Sequence, residues 1–133
     1  MRYQEVISGR FLDRPNRFIA HVETKQGVQT VHVKNTGRCK ELLMPGAVVY
    51  LEKSCNPSRK TAYDLIAVEK EGLLVNMDAQ APNKVFAEWV AHGGFSEDVR
   101  SIHQEYTFGE SRLDFCLETK KGRHFVEVKG VTL

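Results

Sequence analysis

Apolar and polar residues alternate with a period of two over most of this chain, and one stretch alone switches to a helical period. The clearest alternation runs over residues 112–129, where Leu113, Phe115 and Leu117 are interleaved with Asp114, Cys116 and Glu118. After the polar turn Thr119-Lys120-Lys121-Gly122-Arg123, the apolar run resumes at Phe125, Val126 and Val128, broken by Glu127 and Lys129. This pattern predicts a β-hairpin. Upstream, residues 10–12, 17–24, 28–33, 47–52, 63–69 and 73–75 are short and rich in β-branched or aromatic side chains. Turns at Arg14-Pro15-Asn16, Gln26-Gly27 and Glu71-Gly72 part several of them. Residues 104–108 supply one more strand before the turn at Gly109-Glu110. The helical stretch starts at residue 83 or 84 and ends at residue 92. Val85, Phe86, Trp89 and Val90 form its apolar face, Asn83 is the expected N-cap, and Gly93-Gly94 stop it.

Five or six short strands within the first 78 residues, with no long helix, predict a small barrel or sandwich. The five-stranded barrel that binds oligonucleotides is the leading candidate, and a purely structural barrel is its rival. Residues 76–83 read as a polar linker interrupted by Pro82. Beyond it, helix, strand, strand, strand gives an α+β segment over 83–133.

Composition narrows the setting. At 133 residues, 41% hydrophobic and 27% charged, the chain reads as one soluble domain or two small ones. No apolar run approaches the ~20 residues of a membrane span and no leader pattern opens the chain, so the expected setting is cytoplasmic, with no membrane partner. Cys39, Cys55 and Cys116 are odd in number and widely spaced, with no C-x-x-C pair, so they read as reduced thiols rather than a disulfide frame or a zinc site. The net charge is only +2, so a nucleic-acid surface must come from local clustering of cations.

Two such clusters stand out. Lys34, Arg38 and Lys40 surround an Asn35-Thr36-Gly37 turn, and Arg59 and Lys60 close the turn Asn56-Pro57-Ser58. Loops at the end of a barrel commonly carry binding residues, so these five are the candidate nucleic-acid contacts. Solvated turns are the plainer reading.

The hairpin carries a different chemistry. If its turn centres on Lys120-Lys121, Asp114 lies opposite Glu127, with Cβ atoms ~4.5–5.5 Å apart. Two carboxylates so close repel unless a cation lies between them, and Mg²⁺ commonly takes one or two carboxylates with water and substrate phosphate. Lys129 is placed to orient or deprotonate an attacking water, a combination suited to phosphodiester hydrolysis. Glu88, on the helix, is a candidate third carboxylate. A charged hairpin face and a helix-surface glutamate are the competing readings. His92 and His103 have no partner at metal spacing.

These segments carry a resemblance. GRFLDRPNRF, VHVKNTGRCKELL, NPSRKTAYDLIAVEK, NMDAQAPNKVFAEW and SRLDFCLE through FVEVKGVTL closely resemble the sugar fermentation stimulation protein A family, nearly end to end. The resemblance implies an N-terminal OB-type barrel at 1–78. It implies that 83–133 begins a domain similar to the restriction-endonuclease-like PD-(D/E)XK nucleases. By residue-for-residue match, Asp114, Glu127 and Lys129 correspond to the nuclease Asp and Glu-X-Lys, and Glu88 to the acidic residue of the preceding helix. The implied metal ligands are Asp114, Glu127 and Glu88, the implied cofactor Mg²⁺ or Mn²⁺, and the implied partner DNA, bound mostly without sequence preference. Family members are described as DNA-binding, with a proposed regulatory link to maltose metabolism, so a non-catalytic DNA-binding regulator is the alternative to a nuclease. The family continues past residue 133 with further elements. This chain is therefore expected to be an inactive fragment or truncation, with residues 125–128 left uncovered and open to pairing in a homo-oligomer.

Overall fold

In the computed structural model, which describes residues 1–131, the chain falls into two units: Arg2–Ala79, and Gln80–Val131 together with Met1. Thr132 and Leu133, the end of the segment expected over 83–133, lie outside the described residues.

The first unit is built on one long bent strand, β1 (Val6–Asn16). Its first half pairs antiparallel with β4 (Val48–Lys53) and its second half with β2 (Ile19–Thr24). Gly9 lets β1 run close against β2: a Cβ there would lie 2.5 Å from Val22 Cγ1 and 2.8 Å from the Glu23 carbonyl oxygen. The sequence pattern predicts only residues 10–12 as strand, with a turn at 14–16. In fact β1 continues through Pro15, in a segment of irregular register where the missing N–H removes no regular ladder bond. The turn falls at Arg17-Phe18, closed by Asn16 Oδ1, which accepts the N–H groups of Phe18 and Ile19 at 2.9 and 3.1 Å.

Strands β3 (Gly27–Val33), β5 (Tyr63–Lys70) and β6 (Leu73–Asn76) complete a sheet of order β3-β2-β1-β4-β5-β6. A parallel pairing of β3 with β5, through His32↔Asp64 and Val33↔Leu65, closes the first five strands into a barrel. This is the OB-like architecture that the strand pattern predicts. Phe11, Val22, Val31, Val33, Val49, Leu51, Leu65, Val68 and Met77 fill its interior. Every residue of β5 from Tyr63 to Val68 is buried, Asp64 included. The expected linker begins later than its polarity implies. Asn76 ends β6, Met77 is fully buried with its N–H on the Ile66 carbonyl at 2.6 Å, and Asp78 is buried as well.

The second unit sets helix α1 (Ala81–Ala91) against a sheet of order β7-β8-β9, from Ser101–Phe108, Ser111–Thr119 and Gly122–Val126. The helix starts two residues earlier than its periodicity predicts, because Pro82 fits a first turn, where its absent N–H has no intrahelical role. Asn83 is therefore inside the helix and is not its cap. The stop is where the glycines place it: Gly93, at φ +84, and Gly94 return N–H bonds to Val90 and Trp89 at 3.0 and 2.9 Å. Of the four expected apolar helix residues, Phe86 and Val90 pack with Phe115, Leu117, Ile102 and Val126, whereas Val85 and Trp89 remain about half exposed at 53% and 49%.

Candidate nucleic-acid interface and candidate metal centre

A cleft of the barrel unit, about 530 Å³, is lined by Phe11, Arg14, Asn16, Arg17, Thr36, Arg38, Lys40 and Leu43. It therefore joins the β1–β2 turn to the connection between β3 and β4. Phe11 and Leu43 are buried and give it an apolar floor, while Arg17, Arg38 and Lys40 are exposed. No carboxylate lines it, and among the described residues none forms an ion pair with these three cations.

Arg14 gives the cleft its shape. Its guanidinium donates to the carbonyls of Gly37, Arg38, Arg17 and Asn35 at 2.6, 2.9, 2.6 and 2.6 Å, tying the turn to the β3–β4 connection. Its Nε is buried without a hydrogen-bond partner, and burial lowers its pKa. A cation so placed is compensated by carbonyl dipoles rather than by a charge, so its positive charge adds to those of Arg17, Arg38 and Lys40.

The other candidate cations stand elsewhere. Arg59 binds Asp64, Nη2 to Oδ1 at 2.7 Å and Nη1 to Oδ2 at 3.2 Å. Lys34 lies 3.9 Å from Asp64 and 3.7 Å from Asp78, with its side chain only 14% exposed. His32 Nδ1 approaches the same Asp64 at 3.2 Å. Burial alone would raise the Asp64 pKa, but the bonds from Arg59, the charge of Lys34 and the contact with His32 outweigh it and hold the carboxyl low. Tyr3 donates to Asp78 at 3.0 Å. Lys60 is exposed. Of the five expected phosphate contacts, Arg38 and Lys40 thus share one open cleft, and Lys34 and Arg59 are held by buried carboxylates. Sequence pattern does not single out Arg14 and Arg17, because they flank a proline turn that reads as a solvated loop. Their place in GRFLDRPNRF beside Phe11 is the signal that was present.

In the second unit, the β8–β9 register pairs Phe115 with Val126 and Thr119 with Gly122, so the turn centres on Lys120-Lys121. One further step along this register sets Asp114 beside Glu127. Glu127 and Lys129 lie past the end of β9, however, in irregular chain and not in the strand expected to reach Val128. That chain is held by Asp114 itself, whose Oδ2 accepts the Val128 N–H at 2.8 Å. Asn83 Nδ2 reaches Oδ1 at 3.5 Å. The Val128 N–H, the Glu127 and Asn83 side chains and the Lys129 charge together hold the Asp114 carboxyl below its ordinary range, against the opposing effect of burial. Hard oxygen donors suit a divalent ion, so Asp114 and the neighbouring Glu127 are the side chains here that would hold one. Glu88, on the exposed side of α1, is paired with the Met1 ammonium, which lowers its pKa. Among the described residues no three His, Cys, Asp or Glu side chains converge at metal-binding distance.

With this geometry in view, residues 12–77 match the family model of the SfsA N-terminal OB domain, and residues 80–133 match that of the sugar fermentation stimulation protein RE domain. The whole chain is 53% identical to the sugar fermentation stimulation protein homolog of Ruminiclostridium cellulolyticum and 55% to that of Desulfitobacterium hafniense, covering 59% and 58% of those proteins. The structure of Pyrococcus furiosus SfsA in complex with Ca²⁺ is similar over 96% of this chain and 55% of that one, at a TM-score of 0.84 and 32% identity. The chain thus spans a little under three fifths of the curated relatives it matches, and it contains no helix long and apolar enough to cross a membrane among the described residues. Barrel, hairpin register and both family matches lead to one conclusion: the chain belongs to the sugar fermentation stimulation protein family.

Proposed function

We propose that this chain is a cytoplasmic DNA-binding protein. Its barrel unit takes phosphate in the cleft of Arg17, Arg38 and Lys40, and its second unit holds Mg²⁺ or Mn²⁺ at a nuclease-like site. The observation that carries the reading is the set of three exposed cations, free of carboxylate partners among the described residues, around one cleft. Cations left unpaired at a concave surface raise the local potential and draw polyanions. An OB-type barrel suits that ligand. A divalent cation as ligand is in keeping with the solved relative, whose structure is in complex with Ca²⁺.

A bound divalent ion would supply charge stabilisation at a phosphodiester. The chain's own residues do the rest. Asp114, kept ionised by the Val128 N–H, and Glu127 provide the oxygen donors. Lys129 follows Glu127 by two residues and is exposed, able to donate to a phosphate oxygen or to orient the attacking water. Incubation of supercoiled plasmid with the protein, with and without Mg²⁺, tests the activity, and retention of DNA on a gel tests the binding. Retention without Mg²⁺-dependent cleavage removes the nuclease and leaves the binding protein.

One observation favours a second reading, a non-catalytic DNA-binding regulator of sugar (maltose) metabolism: Glu88 is engaged with Met1 and no third carboxylate joins Asp114 and Glu127 among the described residues. β9 is an edge strand of its sheet, and self-association through it belongs to either reading.

A further inference from the structure

We infer that the barrel cleft receives a single unpaired nucleotide, with its base held between the apolar floor and the neighbouring Phe18 ring and its phosphate on Arg17, Arg38 and Lys40. This rests on the DNA-binding reading above and narrows it to the form of DNA that the cleft accepts.

Three observations support it. The cleft volume, about 530 Å³, falls in the range of pockets that take a small molecule. Its floor is apolar, with Phe11 and Leu43 buried beneath the cationic rim. A duplex hides the faces of its bases and presents phosphate to such a surface, so an apolar floor gains nothing from it. An unpaired nucleotide presents a flat apolar base and an anion together, which matches floor and rim at once.

The third observation is Phe18. Its ring is 52% exposed at the tip of the β1–β2 turn, and the Arg17 guanidinium lies 5.9 Å from its centroid. The backbone beneath it is fixed on both sides. Asn16 Oδ1 accepts the Phe18 N–H at 2.9 Å, and the Phe18 carbonyl accepts the Val33 N–H at 2.8 Å. The ring contributes nothing to the barrel core, yet it is presented on a rigid turn beside a guanidinium. Base–aromatic stacking with an adjacent arginine is the chemistry by which barrels of this type hold single strands. Arg14 completes the arrangement as a positioning residue, since its carbonyl bonds fix residues 35–38 opposite the Arg17-Phe18 turn.

The site takes the same nucleotide chemistry from two sources, a free mononucleotide or a residue of a single strand. The test uses the whole chain and fluorescence anisotropy with a labelled single strand of roughly twelve nucleotides, inside the span that one such barrel covers. The duplex of the same length is measured beside it, and unlabelled deoxyadenosine monophosphate serves as competitor. The single strand is expected to bind at least tenfold more tightly than the duplex. Phe18→Ala is expected to weaken the single strand about tenfold while sparing the duplex and the salt dependence. Displacement by the mononucleotide assigns the free nucleotide as a second source, and its failure to displace assigns the site to the strand. Equal affinity for both DNA forms, or a Phe18→Ala without effect, overturns the inference and leaves DNA binding standing. Absence of salt-dependent binding to either form overturns the DNA-binding reading as well.

Discussion

Arg59 and Asp64 are joined by two hydrogen bonds, one from each terminal guanidinium nitrogen, in a pair whose acid is buried on β5. The pair fixes what Arg59 is for. Arg59→Ala leaves a buried carboxylate without its main partner and is expected to cost the barrel about 3 kcal/mol, the low end for breaking a buried ion pair. Thermal unfolding should show Tm lower by roughly 10–20 °C. An unchanged Tm together with weakened DNA binding would instead assign Arg59 to the phosphate backbone.

Asp64 also sets an acid limit. Its folded pKa is held below the ordinary carboxylate value by Arg59, Lys34 and His32, so the stability it contributes is complete above about pH 4. That contribution is lost as pH falls through the folded pKa. Denaturant melts from pH 6 down to about pH 2 should show the loss, and Asp64→Asn should be less stable at pH 6 yet flatter over the acid range. Parallel pH profiles for the two proteins contradict this assignment.

Arg38 and Lys40 are the cleft cations whose removal is expected to touch DNA and not the fold, since both are exposed. The double substitution to Ala should reduce the slope of log affinity against log salt on duplex DNA by about 1.8, two contacts at ~0.9 each. Anisotropy titrations over a salt series measure it. A slope identical to wild type removes both residues from the interface.

At the hairpin, Asp114→Asn is expected to weaken Mn²⁺ binding at least tenfold, because it removes one of two facing carboxylates. Lys129→Ala should leave Mn²⁺ affinity near wild type while abolishing any plasmid cleavage. Glu88→Gln should change neither, as its carboxylate is paired with Met1. Calorimetric titration sets Asp114→Asn apart, and the plasmid assay separates the other two. Equal and negligible affinity in wild type and Asp114→Asn reduces the constellation to a charged hairpin face.

The strands and the hairpin register were legible because alternation and turn chemistry are local: Thr119 to Gly122 fix the turn, and every pairing up to Phe115↔Val126 follows. What local pattern misses is a partner distant in sequence. Nothing near Lys34 or Arg59 in the chain announces that both converge on Asp64, which sits inside a run that reads as an ordinary strand. Met77 looks like linker because its neighbours are polar, although the barrel interior takes it up entirely. Arg14 looks like a solvated turn residue, yet four carbonyls surround its guanidinium. Glu127 and Lys129 were expected to share a strand face. Beyond β9 it is the Asp114–Val128 bond, not a ladder, that brings them near.

The two-residue parallel contact between β3 and β5 has a consequence for how the barrel forms. It is the pairing that closes the ring, and it joins His32 to Asp64 across a long intervening stretch, whereas β1, β2 and β3 follow one another as a meander. Contacts of large sequence separation form late, because the intervening chain must first lose its freedom. Folding is thus expected to run from the meander to the long-range pairings, β1 with β4 and the closing seam. Val33→Ala, at the seam, should speed unfolding with little change in the folding rate, whereas Val22→Ala, inside the meander, should slow folding. Stopped-flow chevrons of the two variants measure the order of events, and the reverse pattern would place ring closure in the nucleus.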